Sequence, residues 1–427
     1  MAQPLFLGID VGTSAVRGCA LGAAGKVAGM TAAPLPAPRQ QGAAIDQEPA
    51  IWWEAVTRML RELGRSLDLG AVARIAVDGT SGTLLLTDET GAPLSTGLMY
   101  NDARAAGEAA RIKALAPPES GAHGASSALA KLLHLLREGG DARVRHAIHQ
   151  ADWIAGRLAG RFGWSDENNA LKLGYDPVTR RWPDWIDRLE VPRHLLPDVL
   201  VPGALVGRID PAMAGTLGLS PAVEIRAGTT DGVAAFIATR ASEVGDAVTS
   251  LGTTLVVKLL SERPIFAPAQ GVYSHRLGDR WLAGGASNSG GTALLAHFTA
   301  GQMEALTARI DPARPTGLDY YPLPKPGERF PIADAALPPR VTPRPSDDAV
   351  FFQGLLEGIA AIEALAYRRL EELDAPSLKR VISVGGGAKN EAWTKIRRRV
   401  LGVPVETAET TEAGFGAALL ALRGGPA

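Results

Sequence analysis

The sequence predicts a two-domain α/β protein, and three observations carry that expectation. The chain has 427 residues, too many for one simple core and suited to two domains of about 200 residues each. Through the first half, short apolar runs alternate with stretches of helical period, strands preceding helices. An apolar strand, a glycine-threonine turn and a second apolar strand occur twice, as LFLGIDVGTSAVRGCAL (5–21) and as GDAVTSLGTTLVVKLL (245–260). Either hairpin alone is ordinary. The pair suggests a duplicated fold with one phosphate-gripping turn in each half.

Taken in order, LFLGID suits a buried strand, and AVRGCAL, the turn GAAGK and VAGMTAA continue it as a meander. A P-loop needs a lysine and then a helix, and a dinucleotide fingerprint also needs a helix after its glycines. Neither context follows VGTS. A helix is expected at 49–67, with Asp46 as its cap and Ile51, Trp52, Val56, Met59, Leu60 and Leu63 as its apolar stripe. ARIAVDGTSGTLLLTDETG reads as two strands around a small-residue turn, and helical patterns recur at 103–115, 126–138 and 151–159. Residues 165–185, dense in Asn, Asp, Tyr and Trp, read as a loop. The proline-rich stretch 320–345 reads as an ordered surface excursion, because its aromatics argue against disorder. Residues 351–373 form a long helical pattern, and 380–401 read as a buried strand, a triple-glycine turn and a helix.

Composition removes several function classes. Lys+Arg of 44 against Asp+Glu of 45 gives a net charge of −1, so there is no electrostatic footprint for nucleic acid or an anionic membrane. One cysteine, Cys19, excludes an intrachain disulfide and a zinc site built on several thiolates. His146 and His149, the one close histidine pair, read as a solvated surface pair. The N-terminus lacks a basic n-region and a long apolar stretch, and no run of about 18 apolar residues is free of charge or proline. A cytoplasmic setting is expected.

Four clusters can carry chemistry. In Asp10-Val11-Gly12-Thr13-Ser14, ending at Arg17, Gly12 allows close backbone approach and the hydroxyls of Thr13 and Ser14 can donate to phosphate. Gly252-Thr253-Thr254 offers the same donors. Gly385-Gly386-Gly387, with Asn390 and Trp393, permits flat packing of a base or sugar over the backbone. Asp231, in GTTDGVAAF, stands between small residues ahead of an apolar helix, where a carboxylate can be a base or a simple cap. Asp10 is the puzzle, since a carboxylate beside a phosphate turn repels the ligand unless a cation lies between them.

These motifs, with the closing EAGFGAALLAL, resemble the FGGY carbohydrate kinases of the actin-like ATPase superfamily over essentially the whole chain. The resemblance implies two actin-like (ribonuclease H-like) α/β lobes with a nucleotide and sugar cleft between them. Residues 1–238 would be the N-terminal, sugar-binding lobe with 411–427 packing back on it, and 239–410 the C-terminal lobe with the adenosine site. It implies ATP and Mg²⁺, a small polyol or ketose as substrate, no nucleic acid or membrane partner, and a monomer or homodimer. Asp231 is then the general base that takes the proton of the attacking sugar hydroxyl. Asp10 is the second catalytic carboxylate, near Mg²⁺ through metal-bound water. Gly12, Thr13, Ser14, Gly252, Thr253 and Thr254 grip phosphate, while Gly386 and Gly387 hold the nucleoside and Asn390 and Trp393 flank its adenine.

For the sugar, the family's first lobe points to Thr80 and Ser81 of VDGTSGT and to Asn101, Asp102 and Arg104 of YNDAR. Asp102 and Arg104 also read as a mutual salt bridge. Many xylulokinases carry Met-His-Gly where this chain has Thr80-Ser81-Gly82, and glycerol kinases carry an Arg-Glu pair nearby. The chain instead resembles the small cyanobacterial and plant branch of D-ribulose kinases, which implies that Ser81, Asp10 and Asp231 hold the ketose. Conversion of D-ribulose to D-ribulose 5-phosphate is therefore expected, with xylulose or another pentulose or polyol as the alternative. A non-catalytic actin-like ATP-binding protein is disfavoured, because both Asp10 and Asp231 are present. Trp52 and Trp53 are expected to pack on a helix, with Trp53 a candidate border of the sugar site. Lys172 reads as an exposed loop residue and Glu363 as a solvated one.

Overall fold

The opening meander forms three antiparallel strands, β1 (Leu5–Val11), β2 (Ala15–Gly22) and β3 (Val27–Pro34). They belong to a computed structural model that describes residues 3–139 and 142–425. Contacts divide the chain into unit 1, Met1–Ala238 with Glu412–Ala427, and unit 2, Thr239–Thr411.

In unit 1 a short hairpin of β4 (Arg39–Gln41) and β5 (Ala44–Gln47) leads into α1 (Pro49–Leu63). The helix stops at Leu63, short of 67, and Asp46 does not cap it. Glu48 holds the cap position without a side-chain bond and Pro49 pre-sets the first turn. Asp46 lies in β5, where ion pairs to Arg39 and Arg104 claim its carboxylate. Trp52, Val56, Met59, Leu60 and Leu63 are buried in the core, while Ile51 is only partly so. Trp53 packs beside them under the guanidinium of Arg157.

β6 (Val72–Gly79) and β7 (Leu84–Thr87) both form but do not pair with each other. β6 runs parallel to β1, whereas β7 enters a smaller sheet with β8 (Gly97–Leu98) and β9 (His146–His149). The turn at 80–83 is thus a crossing between two sheets. α2 (Ala106–Leu115), α3 (Ala128–Arg137) and α4 (Gln150–Ala159) occupy the three helical patterns. His146 and His149 are not a solvated pair. They sit in a strand, whose period of two turns them to opposite faces, and His149 is fully buried.

The segment expected as a loop begins with β10 (Trp164–Asp166) and α5 (Glu167–Leu171). Asp166 caps α5 by accepting from the N–H groups of Asn168 at 2.8 Å and Asn169 at 3.2 Å. β11 (Asp198–Leu200), β12 (Leu205–Arg208), α6 (Pro211–Leu217), β13 (Glu224–Thr230) and α7 (Asp231–Ala238) complete this stretch. The main sheet has the order β12-β13-β6-β1-β2-β3.

Unit 2 contains β14 (Asp246–Leu251), β15 (Leu255–Ser261), β16 (Tyr273–Leu277), β17 (Arg280–Ser287), α8 (Gly291–Leu295), α9 (Ala300–Thr307) and α10 (Asp348–Glu372). β18 (Arg380–Val384), α11 (Glu391–Leu401) and β19 (Val405–Thr407) follow. Its sheet order is β16-β17-β15-β14-β18-β19. The runs β3-β2-β1-β6-β13 and β17-β15-β14-β18-β19 have the same pairing sense, two antiparallel and then two parallel. The duplication read from two hairpins extends to five strands in each unit.

α10 is the one helix among the described residues long and apolar enough to cross a membrane, yet 83% of its apolar window is buried inside the fold. It is a core helix. Glu363, expected to be solvated, lies fully buried on it and pairs with Arg397 through two bonds of 2.6 and 2.7 Å. Burial demands a partner, and α11 supplies one. The 320–345 excursion is anchored by Tyr320, Tyr321, Leu323 and Phe330, all buried.

Finally α12 (Ala413–Arg423) returns to unit 1 and packs on β1 and α7. Glycine makes this approach possible. A Cβ on Gly8 would stand 2.0 Å from the Gly414 carbonyl oxygen, and one on Gly416 would stand 1.9 Å from that of Ala234.

Candidate active site

The carboxyl ends of parallel strands are where open α/β sheets receive ligands, and unit 1 collects carboxylates there. Asp10 lies opposite Arg17 on β2 and opposite Asp78 on β6. Thr229 is level with Asp78, and Asp231 opens α7 directly after β13. Three acids therefore stand at the ends of β1, β6 and β13. Asp231 is half-buried, and its Oδ1 accepts from the Gly232 N–H at 2.6 Å.

Their environments differ. Asp10 is buried and accepts from Arg17 Nη1 at 3.2 Å. Burial raises its pKa, opposed by Arg17 and by a hydrogen bond with Asp78. Asp78 is fully buried, and as a carboxylate neither oxygen has a donor among the described residues. Desolvation, then the charges of Asp10 and Asp231, push its pKa well above the usual carboxylate range. That direction favours a protonated Asp78, able to donate to Asp10, over two adjacent carboxylates.

The first hairpin turn closes with Gly12 N–H donating to the Ala15 carbonyl at 3.1 Å, leaving Ser14 exposed and Thr13 half-exposed. The second closes with Gly252 N–H donating to the Thr254 carbonyl at 3.2 Å, with Thr253 exposed. α8 braces it, since the N–H groups of Gly291 and Thr292 donate to the carbonyls of Gly252 and Thr253.

Beside it lies the triple-glycine turn. Gly385 has φ +86, and Gly385 and Gly386 are exposed. A Cβ on Gly387 would meet the Trp393 ring at 2.6 Å and Leu251 Cβ at 2.9 Å. Trp393 is buried beneath the turn and donates from Nε1 to the Leu356 carbonyl. Asn390 caps α11, its Oδ1 accepting from Trp393 N–H at 2.9 Å and its Nδ2 donating to Thr307. Both side chains brace the turn, and the glycine backbone forms its surface.

The sugar candidates divide into two groups. Thr80 Oγ1 donates to Gln150 Oε1 at 2.8 Å and is bonded to Thr83 Oγ1. Ser81 follows Asp78 closely at the end of β6, and its Oγ is buried with no partner among the described residues. Asp102 and Arg104 form a second network, at β5. Asp102 is fully buried and accepts from Arg104 Nε at 2.8 Å and Ile45 N–H at 2.6 Å. Arg104 also reaches Asp46 at 2.7 Å. The mutual salt bridge is formed, inside a structural network. Lys172 is half-buried rather than exposed.

Asp78, Lys131, Gln150 and Asn168 join this neighbourhood without having had a motif of their own. Asn168 donates from Nδ2 to Thr229 Oγ1 at 3.0 Å, and its Oδ1 is buried without a partner among the described residues. Asp78 alone had a readable signal, an acid at a strand end before a glycine, as at Asp10.

The FGGY family model for carbohydrate kinases matches residues 5–238 with its N-terminal domain and 247–424 with its C-terminal domain. The chain belongs to the FGGY family of carbohydrate kinases. It is accordingly a sugar phosphotransferase that uses ATP as phosphate donor. A xylulose kinase of Escherichia coli (strain K12) is 26% identical over 444 residues, covering 98% of this chain and 89% of that protein. A ligand-bound xylulose kinase from Lactobacillus acidophilus superposes with a TM-score of 0.86 at 21% identity, over 98% of this chain and 89% of that one. A gluconate kinase from the same organism gives 0.86 at 20%, over 99% and 89%.

Among the described residues no group of three or more His, Cys, Asp or Glu side chains forms a metal cage. The donors at the strand ends are hard carboxylate oxygens in small number. That set suits Mg²⁺, which takes one or two protein carboxylates together with phosphate and water.

Proposed function

We propose that this kinase transfers the γ-phosphate of ATP to a hydroxyl of a ketopentose, with Asp231 as general base. The observation that carries the reading is the placement of a half-buried Asp231 at the head of α7, beside the strand ends bearing Asp10 and Asp78. Asp231 accepts the proton of the sugar hydroxyl as that oxygen bonds to phosphorus and the bond to ADP breaks. Asp10, oriented by Arg17 and by the Asp78 proton, holds the sugar on its other side. Asp10 would also hold Mg²⁺ through water, and the bound cation would neutralise phosphate charge.

Residues 1–238 with 411–427 form the sugar lobe in this reading, and 239–410 the nucleotide lobe. The turns Gly12-Thr13-Ser14 and Gly252-Thr253-Thr254 donate N–H and O–H groups to phosphate oxygens. Gly386 and Gly387 lie against the nucleoside, while Asn390 and Trp393 act by holding that turn. Ser81 reads the sugar directly. Thr80, Asp102 and Arg104, whose polar groups are engaged internally, act by shaping the wall of its site.

The names of the curated relatives favour xylulose among the pentuloses. D-ribulose is the second reading, favoured by Thr80-Ser81-Gly82 where many xylulokinases carry Met-His-Gly. An ADP-release assay over D-ribulose, D- and L-xylulose, L-ribulose, ribitol and glycerol tests both. A pentulose should raise ADP formation above the sugar-free rate, and the higher kcat/KM decides between xylulose and D-ribulose. A response to glycerol or ribitol alone, or to no sugar, contradicts the ketopentose reading.

A further inference from the structure

We infer that Lys131 is a positioning residue that fixes the turn at 80–83 so that Ser81 presents its hydroxyl in one direction, an inference that rests on the sugar reading of Ser81 given above. Lys131 lies fully buried on α3 among Leu129, Ala130, Leu132 and Leu133, and its Nζ donates to the Gly82 carbonyl at 2.8 Å.

As a stabiliser this arrangement makes little sense. Lysine is among the residues least often buried. Its hydrogen bond to a carbonyl, even with a charged donor, returns less than the desolvation of the ammonium costs. Desolvation shows in the amine, whose pKa is pushed down to about 7 although Asp102 pulls it up; Lys172 and Arg104 add to the fall. The contact therefore matters for what it does to Gly82.

Gly82 has φ +83, in the left-handed region that leaves a glycine peptide free to reorient. The groups around it are held from two helices. From α4, Gln150 accepts the Thr80 N–H at 3.1 Å and the Thr80 hydroxyl, and its own N–H donates to the Thr83 carbonyl at 3.2 Å. From α3, Lys131 holds the Gly82 carbonyl. Between these clamps the Ser81 hydroxyl is buried with no partner among the described residues, as is Gln150 Nε2 beside it. Epimeric ketoses differ in the direction of one hydroxyl, so a hydroxyl with a fixed direction can tell them apart. Without the Lys131 bond the Gly82 peptide turns and Ser81 turns with it.

The test compares Lys131→Met, of similar length without a donor, with Ser81→Ala in the full chain. KM for sugar, KM for ATP, kcat and the kcat/KM ratio of D-xylulose to D-ribulose are measured. Lys131→Met should raise the sugar KM about tenfold and move that ratio towards one, with the ATP KM held within about twofold. If Lys131→Met does not fold, Lys131→Gln, neutral and with its shorter amide short of Gly82, is read the same way. An unchanged sugar KM and ratio, or equal rises in both KM values, overturns the inference. Failure of Lys131→Met beside a raised sugar KM in Ser81→Ala defeats the Lys131 role alone. An unchanged sugar KM in Ser81→Ala defeats the sugar reading of the turn and this inference with it.

Discussion

In unit 1 the hairpin β1–β2 carries Asp10 two residues before its glycine, opposite Arg17; in unit 2 the hairpin β14–β15 carries Ser250 there, opposite Val256. The neighbouring parallel strand repeats the contrast, with Asp78 level with Asp10 but Val384 level with Ser250. The backbone has been duplicated and the charge has not. Carboxylates at the strand ends of unit 1 suit proton transfer from a sugar hydroxyl. Hydroxyls and glycine N–H groups at those of unit 2 suit a polyanion, which a carboxylate there would repel. The proposed division follows, with sugar chemistry in unit 1 and nucleotide binding in unit 2.

The largest effect should come from Asp231→Ala. Removing a general base costs about 10²–10⁴ in rate, so sugar-dependent turnover should fall at least that far while the ATP dissociation constant stays near the parent value. Near-normal turnover in this variant would break the assignment of acid-base chemistry to unit 1.

Much of this contrast is legible in the sequence. The glycine-threonine turns between apolar runs specify both hairpins, because turn chemistry and strand periodicity are local properties. Partners far apart in the chain are not local. Glu363 reads as solvated because Arg397, which pairs with it, lies a helix and a strand away. The separate sheets of β6 and β7, the buried His149 and the short α5 depend on tertiary packing that no window of sequence displays. Trp393 is readable as a residue of the triple-glycine turn, but its place beneath Gly387 follows from the absence of a Cβ there. Lys131 was hidden within an apolar helical stripe.

Two buried acids, Glu363 of unit 2 and Asp78 of unit 1, lie in different settings, and a pair of variants sharpens the contrast. Glu363 is paired, so Arg397→Met should destabilise by about 3–5 kcal/mol by stranding it. Asp78 of unit 1 instead needs a bound proton to donate to Asp10, so Asp78→Asn, whose amide donates without one, should stabilise by about 1–3 kcal/mol at neutral pH. The pH dependence has a definite sign. Because the folded-state pKa of Asp78 is raised, the native state binds the extra proton above the ordinary carboxylate range, and stability falls as pH rises from there. The gain in Asp78→Asn should therefore grow from pH 4 towards neutral pH in thermal melts. A gain that is absent at neutral pH would mean that Asp78 is already satisfied.

The division itself is tested most directly by steady-state kinetics on Ser81→Ala and Gly387→Val, with both KM values measured for each. The Cβ added at Gly387 collides with the Trp393 ring and Leu251 and so displaces the glycine turn. The account predicts that Ser81→Ala raises the sugar KM and spares that of ATP, and that Gly387→Val raises the ATP KM and spares that of the sugar, each by about tenfold. A rise in the ATP KM alone for Ser81→Ala, or in the sugar KM alone for Gly387→Val, would contradict it.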